Sequence, residues 1–189
     1  MGSRAGDALA AVPRVLFLPR SQRRYADLDV PLPIGHDVTN SQPSTVRAML
    51  ELLDPRPGDR VLDVGAGSGW TTALLTWLVA PDGRVIGVER VPELVKRSRA
   101  DLGDLGLRAR IHEAVPGVLG RPEDAPYDRI LVSAGADSVP DALVAQLAPG
   151  GVMVVPAGGE MLRIVAGAAG GDEPRATRHG RYVFVPLIP

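Results

Sequence analysis

Two short stretches hold most of the side chains that could do chemistry. "VLDVGAGSGW" (61–70) carries a hydrophobic strand through Gly65-Ala66-Gly67-Ser68-Gly69 and into a helix. Glycines are needed where backbone must turn tightly and approach a ligand with no Cβ in the way. The next strand ends at Glu89, followed by Arg90, and a carboxylate there can accept both hydroxyls of a ribose. In parallel sheets ligands sit past the carboxyl ends of the strands, so this spacing suggests a nucleoside site. The second stretch, "IGHDVTNSQPST" (34–45), crowds His36, Asp37, Thr39, Asn40, Ser41, Gln42 and Ser44 together just ahead of a helix. Capping explains one or two such groups, and both Ser41 and Ser44 stand where an N-cap could be. It does not explain them all.

The elements that must position these residues alternate along the chain. "PSTVRAMLELL" places Val46, Met49, Leu50 and Leu53 on one helical face, with Pro43 near its start. "DPRPGD" then breaks the chain. From there "RVLDVGA" reads as a strand, "GSGWTTALLTWLVA" as a helix, "GRVIGVER" as a strand and "PELVKRSRADLGDLG" as a helix. "RARIHEA" and "DRILVSA" are further strands, "VPDALVAQLA" a helix and "GVMVVPA" a strand. "MLRIVAGA" and "RYVFVPLI" read as a closing antiparallel pair around a Gly/Asp/Pro-rich connection. Strands alternating with helices imply a doubly wound α/β fold, with a mostly parallel seven-stranded sheet and an antiparallel edge. The expected organisation is one domain: residues 1–43 an N-terminal segment and active-site loop, 44–160 the core, and 161–189 the antiparallel strands.

Bulk properties narrow the class. The 189 residues suffice for one full core, and 45% hydrophobic with 23% charged residues is a globular balance. A net charge of −1 argues against nucleic-acid binding across the surface. Cysteine is absent, which removes thiol catalysis and suits a reducing compartment. No apolar run approaches bilayer length, and the apolar N-terminal stretch is broken by Pro13, Arg14 and Pro19, so a cytoplasmic protein with no membrane partner is expected. His36, His112 and His179 are scattered without metal-ligand spacing, so no metal is expected. Trp70 and Trp77 read as helix-face packing.

The glycine spacing is G-x-G-x-G, one residue short of the dinucleotide fingerprint, and no Gly-Lys-Ser/Thr follows for a phosphate loop. The run resembles the first motif of class I S-adenosylmethionine-dependent methyltransferases; a plain strand–helix turn is the alternative. The resemblance implies that Asp63, Gly65, Ala66, Gly67, Gly69, Glu89, Arg90 and Gly117 hold S-adenosyl-L-methionine. Asp63 would suit its cationic amino-acid end and Glu89 its ribose.

A narrower resemblance rests on "VPRVLFLP" (12–19), "YADLDVPLPIGHDVTNSQPSTVRAMLELL" (25–53), "PGDRVLDVGAGSGW" (57–70), "APYDRILVSAGADSVPDALVAQLAPGG" (125–151) and "FVPLI" (184–188). In this order they look like a protein-L-isoaspartate O-methyltransferase, whose activity is methyl transfer to the free carboxylate of an isoaspartyl residue. The family's loop reads Gly-x-Gly-Gln-Thr-Ile-Ser-Gln-Pro, so Thr39, Ser41, Gln42 and Pro43 match by position. The resemblance implies Ser41 and Thr39 as catalytic hydroxyls, with His36, Asn40, Gln42, Pro43 and Ser133 on the substrate side. A carboxylate is already ionised at neutral pH. The enzyme must therefore supply alignment and exclusion of water rather than a strong base.

Departures from the family pattern cluster near substrate and adenine. Asp37-Val38 replaces Gly-Gln, and Asn40 replaces the usual Ile. Val115-Pro116-Gly117 replaces a Gly-Asp-Gly whose acid contacts adenine, leaving Glu113 or backbone groups to serve. Only eleven residues precede Val12, where the family has a longer helical region, so a more open pocket is expected. These departures tilt the reading toward a member that methylates aspartate in a ribosomally made peptide, giving an ester able to close to aspartimide. A repair enzyme for isoaspartyl proteins and a non-catalytic peptide-binding module are the alternatives. The expected partner is a peptide or protein bearing such a residue, bound by a monomer.

Overall fold

The computed structural model describes residues 2–168 and 173–188. Helix α1 (Arg4–Ala11) leads to a small antiparallel hairpin, β1 (Leu32–Gly35) and β2 (Val38–Asn40), and then to helix α2 (Pro43–Leu53). The main sheet is built from β3 (Arg60–Val64), β4 (Arg84–Glu89), β5 (Ala109–Glu113), β6 (Tyr127–Val132), β7 (Leu147–Ala157), β8 (Glu160–Val165) and β9 (Arg175–Arg181). Helices α3 (Trp70–Val79), α4 (Pro92–Asp104) and the short α5 (Asp141–Val144) connect its parallel strands. Strand order is β5-β4-β3-β6-β7-β8-β9, with β8 antiparallel to both of its neighbours, β7 and β9. The doubly wound, seven-stranded sheet with an antiparallel edge is as read from the sequence.

Core packing follows the patterning. Val46, Met49, Leu50 and Leu53 of α2 are buried, and each buried apolar side chain of this size contributes roughly 1.5–3 kcal/mol. Helix α3 is buried on nearly every side, from Trp70 to Val79, because it is wedged between sheet and outer helices. Leu74, Leu75, Val61 and Val85 join one core cluster, while Ile130, Met153 and Leu143 join a second that includes α5. α1 packs on α2 and α3. No helix among the described residues is long and apolar enough to cross a membrane.

Three local expectations are corrected. The stretch before α2 is a hairpin rather than an open loop: His36 and Asp37 form its tip with φ of 55° and 57°, the geometry of a two-residue turn. The helix expected over 139–148 shrinks to α5, because Leu147 is already paired with Tyr127 and Gln146 is pinned, its amide donating to the carbonyls of Leu119 and Ala142. "RYVFVPLI" is not the partner of β8; the exposed β9 is. The last residues instead cross the carboxyl end of the sheet, where Gly135 donates to the Val185 carbonyl and accepts from Leu187 N–H. Residues 169–172 of the Gly/Asp/Pro-rich connection lie outside the described residues, and its later part forms β9.

Candidate active site

The sheet's order reverses between β3 and β6, so their connections part and leave a cleft at their carboxyl ends. Gly65, Gly67 and Gly69 follow β3 with φ of 79°, 54° and 85°, which side chains with a Cβ rarely adopt. A Cβ on Gly67 would also come within 3.4 Å of Ile34 Cδ1 in the hairpin. Glu89 ends β4 beside this loop, only 5% exposed; its carboxylate accepts N–H groups from Gly67 at 2.8 Å and Val91 at 2.9 Å. Gly65, Gly67, Glu89 and Arg90 all line the cleft. Its other wall is apolar: Val88, Ala114, Val118 and Leu119 on one side, Val185 and Leu187 of the C-terminal crossing on the other.

Where this cleft opens toward the hairpin, hydroxyls converge. Thr39 and Ser133 line the main cleft and two adjoining crevices, and Ser41 lines both of those crevices. Ser133 Oγ is buried and, among the described residues, without a hydrogen-bond partner. A hydroxyl in that condition loses more than 1 kcal/mol relative to a paired one, and a ligand oxygen would restore it. One crevice runs outward between Pro31, Gln42 and Thr45 and the chain at Val183–Val185, giving an extended segment a path to the hydroxyls.

Not every expected residue stands on these walls. Asp63 lies completely buried beneath the glycine loop, its Oδ2 accepting from Thr71 and Thr72 at 2.8 and 2.6 Å. It reaches the site only through Thr71, which lines the inner crevice. Burial pushes its carboxyl up to about 6, with the neighbouring Glu89 adding to the rise and the two threonine hydroxyls opposing it. Ala66 borders the inner crevice rather than the main cleft. Gly69 serves packing: a Cβ there would meet Ser98 Cβ of α4 at 3.0 Å.

Gly117 is off the cleft wall, at φ 79° in the turn that swings Val118–Gly120 inward, and Glu113 is exposed at the end of β5. His36 and Asp37 are exposed at the hairpin tip. Pro43 opens α2 as its first residue, and Gln42 is the N-cap position, its amide tied to Asp29 and Ser44. Neither Ser41 nor Ser44 caps the helix with its side chain; the Asp29 carboxylate takes the Ser44 N–H instead, which holds that carboxyl below its ordinary range. Asn40 is buried and committed to protein partners, so its side chain is not free for a substrate.

Sequence reading missed the apolar wall. Ala114, Val118 and Leu119 carry no motif of their own, whereas "FVPLI" carried the family resemblance and was misplaced as a strand.

The chain is similar to known proteins over nearly its whole length. In Methanopyrus kandleri, a protein-L-isoaspartate O-methyltransferase is 49% identical over 98% of this chain and 84% of its own length. In Aeropyrum pernix, another is 50% identical over 96% of this chain and 71% of its own. Among solved structures, one named protein-L-isoaspartate O-methyltransferase superposes with a TM-score of 0.86 at 26% identity, covering 98% of this chain and 61% of that one. A Plasmodium falciparum structure described as a putative protein-L-isoaspartate O-methyltransferase in complex with S-adenosyl-L-homocysteine gives 0.83 at 25% identity, covering 98% and 90%. A model of the family described as Protein-L-isoaspartate(D-aspartate) O-methyltransferase matches residues 2–188, a span that takes in the hairpin, the glycine loop and the C-terminal crossing alike. With hydroxyl loop and nucleoside cleft inside that one continuous match, the chain belongs to the protein-L-isoaspartate(D-aspartate) O-methyltransferase family.

Proposed function

We propose that this S-adenosylmethionine-dependent methyltransferase esterifies the side-chain carboxylate of an isoaspartyl residue in a peptide or protein. The observation that carries the acceptor assignment is the set of neutral hydroxyls, Thr39, Ser41 and Ser133, bordering crevices that adjoin the cofactor cleft. Among the described residues, no charged side chain lines either crevice, and those on the main cleft are Glu89 and Arg90.

The cleft fits the cofactor. Three positive-φ glycines leave room for close approach, and an unpartnered buried hydroxyl awaits an oxygen. In this reading Glu89 holds the ribose hydroxyls with the lone pairs left over from Gly67 and Val91. Gly65 and Gly67 pass the amino-acid end, and Val88, Ala114, Val118 and Leu119 cover the adenine. An apolar slot dispenses with an acidic contact to adenine, which is how the Pro116 departure is accommodated. When bound, the cofactor supplies a methyl group on a sulfonium whose sulfur keeps the electron pair of the broken bond.

The chain's own work is then alignment. Hydroxyl donors orient one carboxylate oxygen toward the methyl carbon without neutralising it, as a guanidinium would. No proton has to move, because the acceptor is ionised at neutral pH. The apolar crossing at Val185–Leu187 keeps water from the reacting atoms.

A tailoring role on aspartate in a ribosomally made peptide is the second reading, supported by Asp37 and Asn40 where the family resemblance expects Gly and Ile. Both positions have work within the fold: Asp37 turns the hairpin and Asn40 joins buried partners. The isoaspartyl reading therefore stands first.

Two synthetic peptides differing only in L-aspartate or L-isoaspartate, each incubated with enzyme and S-adenosylmethionine, test it by mass spectrometry. Gain of one methyl on the isoaspartyl peptide alone is the expected result. Methylation of the aspartyl peptide alone would replace this reading with the tailoring one.

A further inference from the structure

The substrate loop and the glycine loop are joined by one buried polar bridge. Asn40 is 5% exposed; its Oδ1 accepts from Arg14 Nε at 2.6 Å and its Nδ2 donates to Ser68 Oγ at 2.9 Å. Arg14 is itself buried, and its remaining donors reach the carbonyls of Leu28, Val30, Asn40 and Ser41 at 2.8–3.1 Å. Ser68, 3% exposed, sits between Gly67 and Gly69. Ser41 follows Asn40 directly, with its own carbonyl held by the same guanidinium.

A carboxamide is well suited to this place because it accepts at one end and donates at the other. An aliphatic residue of similar size would leave both the Arg14 Nε–H and Ser68 Oγ unpaired in the interior. The bridge also separates the two ligands: Ser68 belongs to the loop assigned to the cofactor, and Asn40 to the strand that delivers Thr39 and Ser41. Two loops tied in this way share the entropy of being ordered, so fixing one lowers what the other must lose.

We propose that Asn40 and Ser68 are positioning residues that couple occupancy of the glycine loop to the alignment of Ser41, so that cofactor and isoaspartyl peptide bind with positive cooperativity through this bridge. The inference rests on the isoaspartyl reading above. Both residues border the inner crevice, and their side chains are spent on each other and on Arg14 rather than on the acceptor carboxylate. By linkage, the factor by which cofactor tightens peptide equals the factor by which peptide tightens cofactor.

Calorimetric titration of an isoaspartyl peptide, with and without saturating S-adenosylhomocysteine, measures this factor as a ratio of Kd values. The wild-type protein is expected to show a factor of about 10, within the usual range for coupled sites. Ser68→Ala and Asn40→Leu should each bring it below about 2, and the double variant should fall no further than either alone. S-adenosylhomocysteine affinity without peptide is measured for each variant in parallel, and a change in it does not enter the coupling factor, which is a ratio taken within one protein. Ser68→Thr, which keeps the hydroxyl, should retain the wild-type factor.

A factor in Ser68→Ala and Asn40→Leu equal to that of the wild type, or a wild-type factor near 1, overturns the proposal. Should Asn40→Leu not fold, Ser68→Ala decides alone, since it removes a single oxygen. Wild-type protein that binds no isoaspartyl peptide even with S-adenosylhomocysteine present would sink the isoaspartyl reading, and this inference with it. Coupling lost nowhere in a protein that does bind the peptide would sink the inference only.

Discussion

The glycine loop and the hydroxyl-bearing hairpin face each other across one cleft, yet they are held in opposite ways. The glycine loop is shaped chiefly by its own backbone, three positive-φ glycines between the strand before and the helix after, and a single carboxylate, Glu89, braces it from 22 residues away. The hairpin and Ser41 depend on remote side chains: Arg14 lies 26 residues from Asn40, and Asp29 caps α2 from 15 residues before Ser44. A cofactor shared across a whole enzyme class can be met by a local motif. An acceptor peculiar to one family is met by a surface assembled from distant parts.

Breaking the remote support should have the largest effect. Arg14→Met removes donors from several backbone carbonyls and from Asn40 at once, so at about 1–3 kcal/mol for each buried acceptor left unpaired a loss of about 3–5 kcal/mol in denaturant unfolding is expected. A loss under 1 kcal/mol would show that the hairpin holds itself, and the contrast between the loops would fail.

The glycine loop carries a different signature, a titrating floor. Asp63 is raised from 3.8 to about 6, so between those values the folded protein binds more protons than the unfolded chain. The Asp63 contribution to stability is therefore fully present below the unfolded value and is lost as pH rises toward and through about 6. Asp63→Asn can still accept from Thr71 and Thr72 and lacks this term. Its advantage over the wild type should grow to about 3 kcal/mol at most by pH 7, read as diverging melting temperatures between pH 4 and 7. Parallel melting curves for the two proteins would place the Asp63 proton elsewhere.

Two smaller changes separate the loops by function. Glu89→Ala should weaken S-adenosylhomocysteine binding about 30-fold, roughly 2 kcal/mol, by calorimetry; unchanged affinity removes Glu89 from the ribose. Ser41→Ala should lower kcat about 10-fold with cofactor affinity intact, and full turnover in that variant would retire Ser41 as a catalytic group.

Much of this was legible because it is local. The apolar spacing of α2, the strand–glycine–helix run and the acid ending β4 each announce themselves within a few residues. Other positions misled for the same reason. Pro43 matches the family loop in sequence, but its place as N1 of α2 gives it structural work, whereas Gln42 is both N-cap and a wall of the outward crevice. His36 adjoins the loop in sequence while the turn carries it to the exposed tip. Asp63 precedes the glycine loop yet lies beneath it, because alternate residues of a strand point to opposite faces.

The sequence by itself determined the α/β class and the alternation of parallel strands with helices, since periodicity and turn chemistry act between near neighbours. Only the tertiary structure decided that Arg14, Asn40 and Ser68 form one bridge, that the Ser133 hydroxyl is left buried and unpartnered, and that the C-terminal residues wall the cleft instead of extending the sheet. Such contacts link positions far apart in the chain, and they are selected by shape and by the need to pair buried polar groups, neither of which any short window of residues encodes.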